Sequence, residues 1–138
     1  MNFKEHLSQC VCISAQREAR GNYVVSGSLD TNVKVWDLRS KRSIMTLKSH
    51  AKPITCVDIS VDGRVVASGS HDAYVKIWEN SSARNLFQLR QNSSTAAVTS
   101  LALNPMDMTI ASGHSDRHLR YWDLDQGSMV RFYTLIYF

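Results

Sequence analysis

The chain has 138 residues, of which 43% are hydrophobic and 20% charged, and a formal net charge of +4. This is length enough for one ordinary domain; no apolar run is long enough to span a bilayer, and the polar start MNFKEHLSQ is unlike a secretory signal. Three cysteines, with no further pair or histidine cluster at zinc spacing, argue for reduced thiols in a cytoplasmic protein and against a metal or other cofactor.

In chain order, QCVCIS over 9–14 reads as a strand whose Cys10 and Cys12 share one face and sit, like Cys56, as small core residues. A longer charged connection, AQREARGN from Ala15 to Asn22, belongs on the surface and leads into the strand YVVSGS. Between Lys34 and Lys52 stand six basic residues against the single acid Asp37. Such a run is either a solvated face or an attraction for an acidic partner; nucleic acid lacks support, because no aromatic residues are interleaved with it.

The middle of the chain gives the clearest strands. ITCVDIS alternates apolar and polar side chains from Ile54 to Ser60, Asp62-Gly63 supplies a hairpin turn, and RVVASGS returns from Arg64 to Ser70. A turn at His71-Asp72 leads into AYVKIW over 73–78, and NLFQLR over 85–90 makes a fourth strand. The last third repeats the plan with VTSLAL from Val98, a turn at Asn104-Pro105, TIASGH from Thr109, HLRYWD from His118 and SMVRFY from Ser128. His71, His114 and His118 lie at turns or strand ends, where an exposed histidine is expected. The prediction is an all-β chain of about three four-stranded antiparallel meanders, with units over about 6–47, 50–90 and 94–133. An apolar tail over 134–138, continuing from Phe132 and Tyr133, is suited to cover an open edge, pair with another chain or aggregate.

Serine and aspartate four residues apart, as in SGSLDTNVKVWDLR, would suit a hydrolase, but the phrase recurs as SGSHDAYVKIWEN and SGHSDRHLRYWDL. The tryptophans Trp36, Trp78 and Trp122 are 42 and 44 residues apart, and Ser26 and Asp30, Ser68 and Asp72, Ser112 and Asp116 keep the same distances from them. An enzyme has little use for three copies of a nucleophile, whereas a propeller repeats one structural unit. No oxyanion, phosphate-loop or HExxH motif accompanies the serines, so no catalytic residue is assigned.

These phrases resemble WD40 repeats, with the Trp-Asp pair at Trp36-Asp37 and Trp122-Asp123 and Trp78-Glu79 in the middle copy. The resemblance implies a partial β-propeller, since propellers close with about four to eight blades. It also implies a hydrogen-bonded tetrad of histidine, serine, aspartate and tryptophan, which the middle repeat supplies as His50, Ser68, Asp72 and Trp78. The first repeat offers only His6, displaced by two positions, and the third has QNSST where its histidine is expected. On this basis the middle blade is expected to be the most stable.

Binding residues of such a fold are expected in loops: Leu29, His71 and Ser115 before the turn aspartates, and Ala51 and Lys52 after His50. Residues 24–79 resemble the central blades of the WD40 regulatory subunits of katanin, the microtubule-severing complex. That likeness implies a non-catalytic scaffold that targets a separate AAA ATPase to microtubules or centrosomes, with Lys41, Arg42 and Lys48 facing acidic tubulin. The region by which those subunits hold the ATPase is not represented, so targeting is the expected contribution. A second resemblance is Trp36-Asp37-Leu38-Arg39 to the WDxR box that docks some WD40 proteins on cullin-RING ubiquitin ligases, with Asp37 and Arg39 as the contact. A scaffold of another assembly is the third alternative.

Overall fold

The computed structural model describes residues 5–18, 20–48, 50–91, 94–126 and 128–134. Within them the chain forms strands only, in three four-stranded antiparallel sheets. The first blade comprises β1 (Cys10–Ala15), β2 (Tyr23–Ser28), β3 (Asn32–Asp37) and β4 (Arg42–Lys48), in that spatial order. The second holds β5 (Ile54–Ile59), β6 (Val65–Ser70), β7 (Val75–Glu79) and β8 (Asn85–Leu89). The third holds β9 (Val98–Leu103), β10 (Thr109–His114), β11 (His118–Asp123) and β12 (Ser128–Thr134). Most strands stop within a residue or two of their predicted limits. The expected apolar tail lies beyond this, since residues 135–138 are outside the described residues.

Alternation along the strands gives each sheet two faces, and the middle sheet buries both. One core joins the first two blades: Val25, Val33, Val35 and Leu47 meet Ile54, Val57, Ile59, Val66 and Trp78. A second core joins the last two, where Ala67, Val75, Ile77 and Leu89 meet Val98, Ile110, Trp122 and Leu124. The leading strands β1, β5 and β9 lie against one another in succession, which makes them the inner strands of a fan of blades.

Each blade carries the same two irregularities. The register slips at the start of the leading strand, leaving Val11, Thr55 and Thr99 as extra residues, and again beside each tryptophan, where Ile44, Leu86 and Val130 are extra on the outer strand. Bulges add twist, as a propeller blade requires. The first bulge also corrects the reading of the cysteines. With Val11 out of register, Cys10 no longer shares the face of Cys12: Cys10 is exposed, while Cys12 and Cys56 are half-buried against the two cores. Burial pushes the Cys12 and Cys56 thiols up to about 12 and about 11, which keeps them protonated and poor nucleophiles.

Candidate functional site

The second blade brings together all four residues of its network. Trp78 Nε1–H donates to Ser68 Oγ at 3.0 Å, His50 Nε2 lies 2.9 Å from the same oxygen, and His50 Nδ1 lies 2.8 Å from Asp72 Oδ2. Donor and acceptor counting orders the chain: the serine proton goes to Nε2, leaving Nδ1–H to donate to the carboxylate. Asp72 also accepts from the amides of Ala51 and Tyr74, at 3.0 and 3.1 Å. Burial works to raise the Asp72 pKa, but the His50 hydrogen bond and charge together with these amides outweigh it and hold it at about 2. Ser68 is completely buried, so its hydroxyl has no route to a substrate; the network satisfies buried polar groups where three chain segments meet.

The first blade repeats the geometry. His6 Nε2 lies 2.8 Å from Ser26 Oγ and Nδ1 3.0 Å from Asp30 Oδ2, Trp36 Nε1–H donates to Ser26 at 2.8 Å, and the amides of Leu7 and Asn32 donate to Asp30. The two-residue displacement of His6 is therefore absorbed. It resides in the connection 16–22 between β1 and β2, two residues longer than 60–64 in the next blade and at the opposite end of the strands from the histidine.

The third blade is built differently: no histidine stands just before β9, as expected, while the expected exposure of His114 is corrected. His114 is buried at 8% exposure, with Nε2 2.9 Å from Ser112 Oγ, and Trp122 Nε1–H completes the link at 2.8 Å. Two residues past the serine on β10, the imidazole falls on the serine's own face, a signal that period-two reading of the strand contains. Burial, then the charge of Arg120, pushes the His114 pKa down to about 4, so the ring is neutral at pH 7. Asp116 takes another partner. Arg120, 1% exposed, holds it through Nη2 at 2.5 Å and Nη1 at 3.3 Å, while its Nε donates to Gln91 Oε1 at 2.7 Å. Burial opposes but Arg120 and the His118 amide prevail, holding Asp116 at about 2. Arg120 occupies the place of Lys34 and Lys76, two residues before each tryptophan.

Asp58 belongs to no repeated motif, since Ser14 and Ala102 hold its place in the other leading strands. Although 4% exposed, it accepts from Ser14 Oγ at 2.7 Å and Arg17 Nη2 at 3.2 Å in the first blade, and from the Leu103 amide at 2.9 Å in the third. One buried carboxylate thus ties three blades at their inner strands.

The loop candidates fall in matching places. Leu29, His71 and Ser115 are exposed, and their amides make the same bond in each blade, to the carbonyls of Gln9, Pro53 and Ala97 at 3.0, 3.1 and 2.9 Å. Ala51 and Lys52 are exposed beside them. The residues that follow the turn aspartates, Thr31, Ala73 and Arg117, have φ values of 69°, 70° and 66°, so all three turns use the left-handed region without glycine.

The basic run divides by structure. Lys41, Arg42, Lys48 and Lys52 are exposed, whereas Lys34 Nζ is drawn inward to Thr46 Oγ1 at 2.9 Å and Glu5 Oε2 at 3.5 Å. Lys41 and Arg42 stand at one end of β4 and Lys48 at the other, roughly 20 Å apart at strand rise. They form a line along the outer edge of the blade and not one patch. In the WDxR box, the Asp37 carboxylate accepts from the Arg39 amide at 2.9 Å and faces Arg39 Nε at 3.3 Å. Among the described residues, no group of three His, Cys, Asp or Glu is placed to hold a metal and no helix is long and apolar enough to cross a membrane.

A family model described as WD domain, G-beta repeat matches residues 1–37, 41–79 and 84–123. Mitochondrial division protein 1 of Kluyveromyces lactis is 34% identical over 80% of this chain, and the U3 small nucleolar RNA-associated protein 15 homolog of Gallus gallus 30% identical over 94%. Protein NEDD1 of Homo sapiens is 51% identical over 25% of the chain. The matched region spans only 17%, 24% and 5% of these relatives' own lengths.

Proposed function

Since the chain belongs to the WD40-repeat family, we propose that it is a protein-interaction scaffold whose first blade engages an acidic partner surface along its outer edge, as a katanin regulatory subunit-like module would engage microtubules. WD40 repeats are generally non-catalytic scaffolds, so binding is the activity to seek. The observation that carries the reading is the exposure of Lys41, Arg42, Lys48 and Lys52 on β4 and its flanking loops. An extended row of cations matches an extended acidic surface better than a compact ligand, and its attraction weakens with salt. In this reading the scaffold works in the cytoplasm, at the cytoskeleton or centrosome, and brings a separate katanin-type AAA ATPase to its target.

None of the three relatives named above is a katanin subunit; two bear names from mitochondrial division and from U3 small nucleolar RNA. What they share with this chain is the repeat, and the microtubule reading draws its support from the resemblance over residues 24–79 and from the charge. The ubiquitin-adaptor reading draws less, because Asp37 and Arg39 are turned to each other.

Co-sedimentation with microtubules at low and high salt tests the proposal. Pelleting that falls with salt and is lost in the triple variant Lys41→Glu, Arg42→Glu, Lys48→Glu supports it. A folded chain that stays in the supernatant at low salt removes microtubule binding from this protein.

A further inference from the structure

A cavity of about 410 Å³ opens between the β5–β6 and β9–β10 turns, at the end of the blades opposite the histidine network. Its floor is apolar: Val65 and Leu103 are half-buried edges of the second core, and Leu124 closes it at 2% exposure. Two methionines stand at the mouth, Met106 at 88% exposure and Met108 at 43%. Exposed apolar side chains beside a cavity extend its apolar surface, and methionine adapts to apolar guests of varied shape.

The charged side chains that line the cavity are all acidic. Glu18, Asp62 and Asp107 line it, and among the described residues no lysine, arginine or histidine does. Of the nearby cations, Arg17 reaches the buried Asp58 at 3.2 Å, and Arg64 lies 3.6 Å from Asp62. The walls are held in place without a ligand: Asp62 Oδ1 accepts from Ser60 Oγ and the Arg64 amide, Asn104 Oδ1 from the Met106 amide, and the Leu124 amide donates to Met108 O at 2.7 Å. A formed apolar cavity with a rim of carboxylates complements a guest that is apolar at its centre and cationic at its edges.

We propose that this groove binds a peptide segment of a partner protein in which one large aliphatic side chain is flanked by lysine or arginine. The aliphatic group enters between Met106 and Leu124, and the flanking cations face Glu18 and Asp107, with Asp62 shared with Arg64. This site is separate from the basic edge of the first blade and opposite to it in charge preference, so neither reading depends on the other.

Fluorescence anisotropy of the whole chain with the labelled peptide Arg-Lys-Leu-Lys-Arg tests it. The expected result is saturable binding below about 1 mM, at least about tenfold weaker when serine replaces the leucine and lost when glutamate replaces the cations. Met106→Ser and Glu18→Lys each weaken binding about threefold or more by the same reasoning. Both residues are exposed, so the variants melt with the parent chain, and Lys41→Glu binds the peptide as the parent does. Equal affinity for the leucine and serine peptides overturns the proposal. So does an unchanged affinity in both Met106→Ser and Glu18→Lys, or no binding at about 1 mM.

Discussion

Gly27→Ala probes how closely the blades approach. Gly27 lies on β2 where it meets β5, and an added Cβ would stand 2.4 Å from Ile54 Cγ2 and 2.6 Å from Cys12 Sγ. Carbons in ordinary contact lie about 3.5–4.0 Å apart, so the blades must separate by about 1 Å or the neighbours must leave their rotamers. Ile54 is 1% exposed and packs in the core that joins the first two blades. Overpacking of this kind costs about 1–3 kcal/mol, which for a chain of this length lowers Tm by roughly 4–12 °C. Gly113→Ala is the internal control. Its Cβ would meet Ser100 Oγ at 2.6 Å, the end of an exposed side chain in the same blade. Thermal melts followed by circular dichroism should therefore place Gly27→Ala well below the parent chain and Gly113→Ala within about 2 °C of it. If the two variants melt together, blade-to-blade contact is not what demands glycine at position 27.

His50→Ala removes the acceptor of the Ser68 hydroxyl and one donor to Asp72, and urea titration should read a loss of about 1–3 kcal/mol; an unchanged midpoint refutes the network. Asp72 and Asp116 are held at about 2 when folded, below the roughly 3.9 of an unfolded aspartate, so each adds stability above about pH 4 that is lost as pH falls toward 2. Melts across that window should show the fall, and Arg120→Met should flatten part of it. Thr31→Gly relieves a β-branched residue at φ 69° and should stabilise the chain by about 0.5–1 kcal/mol; a lower melting midpoint in that variant would contradict the strain argument.

The candidate sites were only partly visible before folding. His6 is displaced by two positions relative to Trp36, because the extra residues sit in the 16–22 connection, at the far end of the strands. His114 closes a strand beside a turn, where exposure is expected, yet β10 turns it onto the face of Ser112. Arg120 reads as a surface cation until Gln91 and Asp116, distant or offset in sequence, are brought around it. The groove between the second and third blades had no signal at all, since its two walls lie about forty residues apart and neither is distinctive alone.

Local alternation and turn residues are short-range features that determined the strands, the recurring tryptophan phrase determined the repeat, and the resemblance of that phrase pointed to the family. Which charges are exposed, which histidine completes each network and where a cavity opens depend on how one sheet packs on the next. Those choices belong to the tertiary structure, because burial and hydrogen-bond partners are supplied by segments that meet only when the blades are assembled.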